Sequence, residues 1–156
     1  MPTNSRFAVA VHLLTLSVLA NGGGGDRVLT SEAMALQVGT NPVVLRRILG
    51  RLREAGVVAS RSGPGGGWRL TQPPEAITLL DIYRAVGAGP MLAPRAAVTG
   101  CPIGHQMPRV LQRVFANAEA ALERELATVT LAEVLADVRA GCRSNAIAAA
   151  PDFTSV

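Results

Sequence analysis

Six arginines and one glutamate fall within residues 46 to 69, a local charge of +5 in a chain whose formal net charge is +4. The guanidinium group is planar, permanently charged and forked, so it can pair at two points with a phosphate or with the edge of guanine. The excess lies at Arg46, Arg47, Arg51, Arg53, Arg61 and Arg69, whereas residues 91 to 156 hold six Arg and six acids. A footprint of that kind suits a polyanion, although an Arg-rich face can also be a solvated one. GC-rich coding alone can favour Arg, since the chain has no Lys at all. The remaining reactive groups form no catalytic set. With two His, no HExxH and no Gly-rich loop followed by Lys and Ser or Thr, no nucleophile, base or oxyanion stabiliser can be assigned, and neither an enzyme nor a metal site is expected. Cys101, next to Pro102 and near His105, is the candidate thiol sensor. An imidazolium or a helix N-terminus near Gly104 would favour its thiolate; the alternative is a plain buried cysteine.

The arginines need an element to aim them, and TNPVVLRRILGRLREA, residues 40 to 55, supplies one. Asn41 is a good N-cap and Pro42 fits the first helical position. Leu45, Ile48, Leu49 and Leu52 recur at 3- and 4-residue steps as an apolar stripe, leaving Arg46, Arg47, Arg51 and Arg53 largely off it. Upstream, TSEAMALQVG reads as a shorter helix capped by Thr30 or Ser31 and closed by Gly39, which makes a helix-turn-helix pair. Downstream, GVVASR and WRLTQ flank the glycine-rich SGPGGG and read as a two-stranded wing.

The flanks follow from pattern. FAVAVHLLTLSVLA, residues 7 to 20, is nearly apolar all round but too short to span a bilayer. Arg6 before it and Val18 with Ala20 at its end would also satisfy a secretory signal and its small-residue cleavage rule, but His12, Thr15 and Ser17 favour a buried first helix from Ser5 to about Ala20. His12 reads as a core or interface histidine. Residues 21 to 26 are a Gly-rich connector. After Pro73 and Pro74, Thr78 caps a short helix, LLDIYRAV, expected to pack on the first, with Tyr83 and Trp68 as core or wing-root residues. Residues 88 to 104, rich in Gly, Pro and Ala, read as a linker. From about Gly104 to Ala127 a long helical pattern carries Val110, Leu111, Val114, Phe115, Ala118, Leu122 and Leu126 on a broad stripe. So small a domain offers little to cover such a stripe, so a second copy of the chain is the expected partner, with a helix folded on its own domain as the alternative. Thr130 and Glu133 form a capping box for one more helix. The organisation expected is therefore a winged helix-turn-helix domain over 5–87, a linker over 88–104, a dimerisation helix and short following helix over 105–140, and a patternless, disordered tail over 141–156.

SRFAVAVHLL, LTSEAMALQVGTNPVVLRRILGRLREAGVVASR, GPGGGWRL and ITLLDIYRAV together resemble the Rrf2 family of bacterial transcription regulators, over roughly residues 5 to 135. The resemblance implies a mainly α fold with a small β-wing, acting as a cytoplasmic homodimer on pseudo-palindromic promoter DNA, mostly as a repressor. Carried over by position, Ser31, Thr40, Asn41, Pro42, Val43 and Arg46 would face the major groove. Arg47 and Arg51 would reach bases or phosphates, and Arg61, Ser62, Gly65 and Gly66 would sit at the minor groove or its phosphates. Many relatives have Arg immediately before the wing glycine, where this chain has Ser62, so Arg61 one position earlier would point to the other face of the strand. Several relatives hold an iron-sulfur cluster on three closely spaced linker cysteines. Here only Cys101 lies in that region, Cys142 is some forty residues on, and a cluster ordinarily wants four ligands, so no cofactor is expected. The alternative to a DNA-binding regulator is a winged module that docks another protein; the signal sensed, whether a small molecule or a redox change, stays open.

Overall fold

Thr30 and Asn41 set the helix-turn-helix by capping. The computed structural model describes residues 3–20, 29–63, 66–87 and 102–144. These residues form α1 (Thr3–Ala20), α2 (Ser31–Val38), α3 (Pro42–Glu54), strands β1 (Val58–Arg61) and β2 (Gly67–Leu70), a 3-10 turn at Pro74–Ala76, then α4 (Leu79–Ala85), α5 (Pro102–Thr128) and α6 (Leu131–Ser144). The Thr30 hydroxyl accepts from the Ala33 N–H at 3.2 Å, so Thr30 rather than Ser31 caps α2. Asn41 Oδ1 accepts from the Val43 N–H at 2.8 Å and starts α3. Between the two, Gly39 takes φ 64°, a left-handed angle that suits glycine and lets the chain turn after α2.

Leu45, Ile48, Leu49 and Leu52 are buried, and they join Ala10, Leu13, Leu14 and Val18 of α1, Met34 of α2, and Ile82 with Val86 in one core. The polar interruptions of α1 cost little there. Thr15 and Ser17 are buried but donate to the carbonyls of Val11 and Leu13, at 2.9 Å each, so neither hydroxyl is left unpaired. β1 and β2 pair antiparallel in the register Val58 to Leu70, Ala59 to Arg69, Ser60 to Trp68 and Arg61 to Gly67. The Trp68 N–H also donates to the Leu29 carbonyl at 3.0 Å, adding an edge pairing that the wing pattern alone did not announce.

The domain boundaries need correction. Pro102 tolerates the first position of a helix, where its missing N–H has no partner to lose, so α5 begins inside the expected linker. Gly141 keeps a helical backbone, so residues 141 to 144 continue α6 rather than opening a patternless tail. Leu131 and Leu135 are buried in the same core as α3. The helix grouped with the dimerisation unit thus packs on the core of the winged domain. Two capping boxes meet where it docks: Asp81 receives the Thr78 N–H at 2.9 Å and Glu133 the Thr130 N–H at 2.7 Å. Leu79 N–H then donates to Val129 O, and Leu131 N–H to Ile77 O, at 2.9 and 2.8 Å, stitching the two helix starts together. The connector at 21–26, Gly65, Cys101, most of the linker and the tail beyond Ser144 lie outside the described residues.

Tyr83 packs edge-to-face on Phe7, with ring centroids 5.6 Å apart and an 84° interplanar angle, tying α4 to α1 as expected. Its hydroxyl is buried without a hydrogen-bond partner among the described residues. Burial, helped by the carboxylates of Glu119 and Glu123, pushes the phenol above its ordinary pKa and keeps it protonated. The ring therefore carries the stabilisation and the hydroxyl does not. Tyr83→Phe is expected to change stability by less than about 1 kcal/mol, or to raise it, whereas Tyr83→Ala should cost about 3–5 kcal/mol. Urea unfolding of both variants checks this; a Phe variant as damaged as the Ala variant would show that the hydroxyl is bonded.

Candidate nucleic-acid interface

At 100° per residue, the buried stripe of α3 leaves Val43, Arg47, Gly50 and Glu54 on the opposite, solvent face. Arg46 and Arg53 lie on one flank, Val44 and Arg51 on the other. Val43 and Arg47 are exposed, and so is Leu36 near the end of α2, a surface apolar side chain at the same end of the helix pair. Arg46 comes within 3.9 Å of Glu32 on α2, but both side chains are more than half exposed, so the pair holds little energy and leaves Arg46 able to move to another anion.

Two assigned roles change once partners are visible. Asn41 spends its carboxamide oxygen on the Val43 N–H. Two-point reading of adenine needs that oxygen together with the amide nitrogen, so Asn41 acts chiefly as the cap and has only its Nδ2 donors to offer. Arg51 is half-buried and donates from Nη1 to the Val86 carbonyl at the end of α4. It is a structural tie rather than a free reading group. Gly87 completes the arrangement: its φ is 68°, and a Cβ there would come within 2.6 Å of Arg51 Nη1. Arg51→Met is expected to lower the unfolding free energy by about 1.5 kcal/mol, because a helix-terminal carbonyl loses a charged donor, while Arg47→Met stays within about 0.5 kcal/mol. Equal thermal stability of the two variants would contradict this division of labour.

The wing presents its own cations. Alternation along paired strands places Arg61 and Ala59 on one face of the hairpin, and Arg69, opposite Ala59, joins them. Arg61, Ser62 and Arg69 are exposed. The turn is built on glycine where the geometry demands it: Gly63 has φ 97°, and a Cβ on Gly66 would run into the Arg61 carbonyl and come within 2.7 Å of the Gly63 carbonyl. The Gly66 N–H donates to that Gly63 carbonyl at 2.9 Å and is therefore used inside the turn. Thr40 is half-buried with its N–H on the Ala35 carbonyl, Ser31 is half-buried in the first turn of α2, and Pro42 is exposed. Arg6 and Arg69 were not among the sequence-derived candidates. A lone cation at the start of an otherwise apolar helix, and one inside a wing strand, were the signals.

Of the stripe residues on α5, Val114 and Ala118 are exposed, while Leu111, Phe115, Leu122 and Leu126 are half-buried. Ile103, Met107 and Val110, exposed by 69, 44 and 54%, extend the apolar surface toward the helix start. α5 touches its own domain through α4, where Arg84 pairs with Glu123 at 2.7 Å.

Comparison with known proteins agrees with this arrangement. The Rrf2 family profile, described as an iron-dependent transcriptional regulator, matches residues 3–137. YwnA of Bacillus subtilis, provisionally named an HTH-type transcriptional regulator, is 37% identical over 134 residues, 85% of this chain and 96% of that protein. The HTH-type transcriptional regulator IscR of Cereibacter sphaeroides is 36% identical over 86 residues, 55% of this chain and 54% of that protein. A crystal structure of a protein provisionally assigned to DNA binding superposes with a TM-score of 0.63 at 36% identity, covering 83% of this chain and 98% of the other. An exposed cationic helix and wing on a shared core, matched over most of their length by these regulators, place the chain in the Rrf2 family of winged helix-turn-helix, DNA-binding transcription regulators.

Proposed function

We propose that this chain is a homodimeric repressor that binds a pseudo-palindromic site in promoter DNA in the cytoplasm. The observation that carries the reading is the placement of Val43, Arg46 and Arg47 on the outward surface of α3, next to a wing that shows Arg61 and Arg69 on one face. Phosphate neutralisation by the arginines supplies affinity, and the first turns of α3, Thr40 to Arg46, supply sequence discrimination in the major groove. The wing, through Arg61, Ser62 and Gly66, borders the adjacent minor groove. The apolar stripe of α5 pairs with a second copy and sets the separation of the two reading heads.

Iron dependence, part of the family description, does not fit the donors present. Cys142 is exposed on α6, some forty residues from Cys101 in the sequence. The chain has two cysteines where a cluster ordinarily takes four ligands. No iron step therefore enters the mechanism.

The test is selection of duplex DNA by the purified, reduced chain, repeated after mild oxidation. Enrichment of a two-fold motif with half-sites about one helical turn apart is the expected result. No enriched motif at low or high salt would overturn the reading in favour of protein docking. Because Cys142 is exposed, the oxidised arm needs Cys142→Ser beside Cys101→Ser to assign any redox response to one thiol.

A further inference from the structure

Between the first turns of α1 and the flank of α3 lies a cleft of ≈ 220 Å³, below the roughly 300 Å³ at which drug-sized sites begin but large enough for one phosphate group.

 Its lining is Arg6, Val43, Val44, Arg47, Ile48 and Arg51, three guanidinium-bearing residues and three apolar ones, with no carboxylate among them. A phosphate oxygen seated in this depression would meet charged guanidinium donors from two helices. The apolar floor strengthens any such pairing by excluding water from one side. Arg51, held by the Val86 carbonyl, supplies positive charge in a fixed place, and exposed Arg47 and half-buried Arg6 line the cleft with it.

We infer that this cleft is a phosphate-binding site, formed by Arg6 of α1 with Arg47 and Arg51 of α3, that grips one backbone phosphodiester of the DNA. The inference rests on the DNA-binding reading above and adds to it a contact outside the helix-turn-helix and wing. The cleft lies on the flank of α3 away from Arg46, so a helix seated in the major groove would meet one strand through Arg46 and the other through this cleft. α1 then does more than fill the core. Its first turn fixes how far α3 can enter the groove.

The test is the salt dependence of binding, read by fluorescence anisotropy on the selected duplex and on a scrambled one, for the unsubstituted chain and for Arg6→Gln, Arg6→Lys and Arg47→Gln. Arg6→Gln is expected to weaken both duplexes by the same factor and to reduce the slope of log affinity against log salt by about 0.9, with Arg6→Lys keeping most of that slope. An unchanged slope in a folded Arg6→Gln, or weakening confined to the selected duplex, would overturn the inference. If Arg6→Gln fails to fold, Arg47→Gln carries the same criterion from the exposed side of the cleft. Inorganic phosphate, added to the DNA-free protein at fixed ionic strength, distinguishes the other source of this anion. Saturable stabilisation by phosphate that Arg6→Gln abolishes, with DNA slopes unaltered, would make the site one for a free anion and overturn the backbone contact. Failure of the unsubstituted chain to bind any duplex sinks the regulator reading itself, whereas tight binding that ignores Arg6 and Arg47 sinks only this contact.

Discussion

Leu131→Ala is expected to lower the unfolding free energy by about 2–5 kcal/mol, the range for truncating a fully enclosed leucine. Leu131 has no exposed surface, and it enters the core at the point where α6 docks beside the 3-10 turn and the start of α4. Its neighbourhood has little means of collapsing into the void, because Leu131 N–H and Leu79 N–H are committed to the Ile77 and Val129 carbonyls. Val138, on the same helix and 39% exposed, provides the comparison: Val138→Ala should cost under about 1 kcal/mol. Urea unfolding at several protein concentrations separates the two possible roles of α6. A loss that is independent of concentration places the helix in the winged domain. A variant that unfolds normally but associates less would return it to the dimerisation unit. The Thr130–Glu133 cap adds a pH signature. Hydrogen bonds from the Thr130 backbone and hydroxyl hold the Glu133 carboxyl below the usual carboxylate range. Its contribution is therefore fully present above the ordinary glutamate pKa and is lost as pH falls through the lower folded-state value. Glu133→Gln should flatten that acid limb.

The parts of the fold legible in the sequence are those fixed by neighbours within a few residues. Asn41 with Pro42, Thr78, and Thr130 with Glu133 announce helix starts because a cap is satisfied locally, and the Leu45 to Leu52 stripe announces a buried face because its period is that of a helix. What escaped was set by partners far along the chain. Nothing around Arg51 marks it as bound to a carbonyl 35 residues away, so its charge read as a reading group. Nothing in TLAEVLADV tells whether Leu131 meets its own α4 or a second molecule. The contact that brings it to α4 is the bridge between Thr78 and Thr130, which joins two segments separated by the whole of α5. Arg6 was overlooked for a related reason. Pattern reading treats α1 as core, yet Arg6 in its first turn borders the outer flank of α3.

Val110→Glu combined with Val114→Glu is expected to leave the winged domain folded and the chain monomeric. Ile103, Met107, Val110 and Val114 follow one another at steps of 4, 3 and 4 residues, the spacing of a coiled-coil seam, and Ala118 continues the line. All four large side chains stay between 44 and 69% exposed on the isolated chain, so their removal costs the core nothing. A second copy laid along the same stripe would bury them on both sides. Two glutamates per chain would instead bring like charges together and require their desolvation. Sedimentation at micromolar concentration should then report a monomer with an unchanged thermal midpoint. The larger effect appears on DNA. A dimer holds its second reading head at high effective concentration over the second half-site, so a monomer should lose on the order of 10²-fold or more in affinity for the two-fold site while binding a single half-site as before. A double variant that still sediments as a dimer would remove this stripe from the interface. A monomer that binds the two-fold site as tightly as the unsubstituted chain would show that the two reading heads were never coupled through α5.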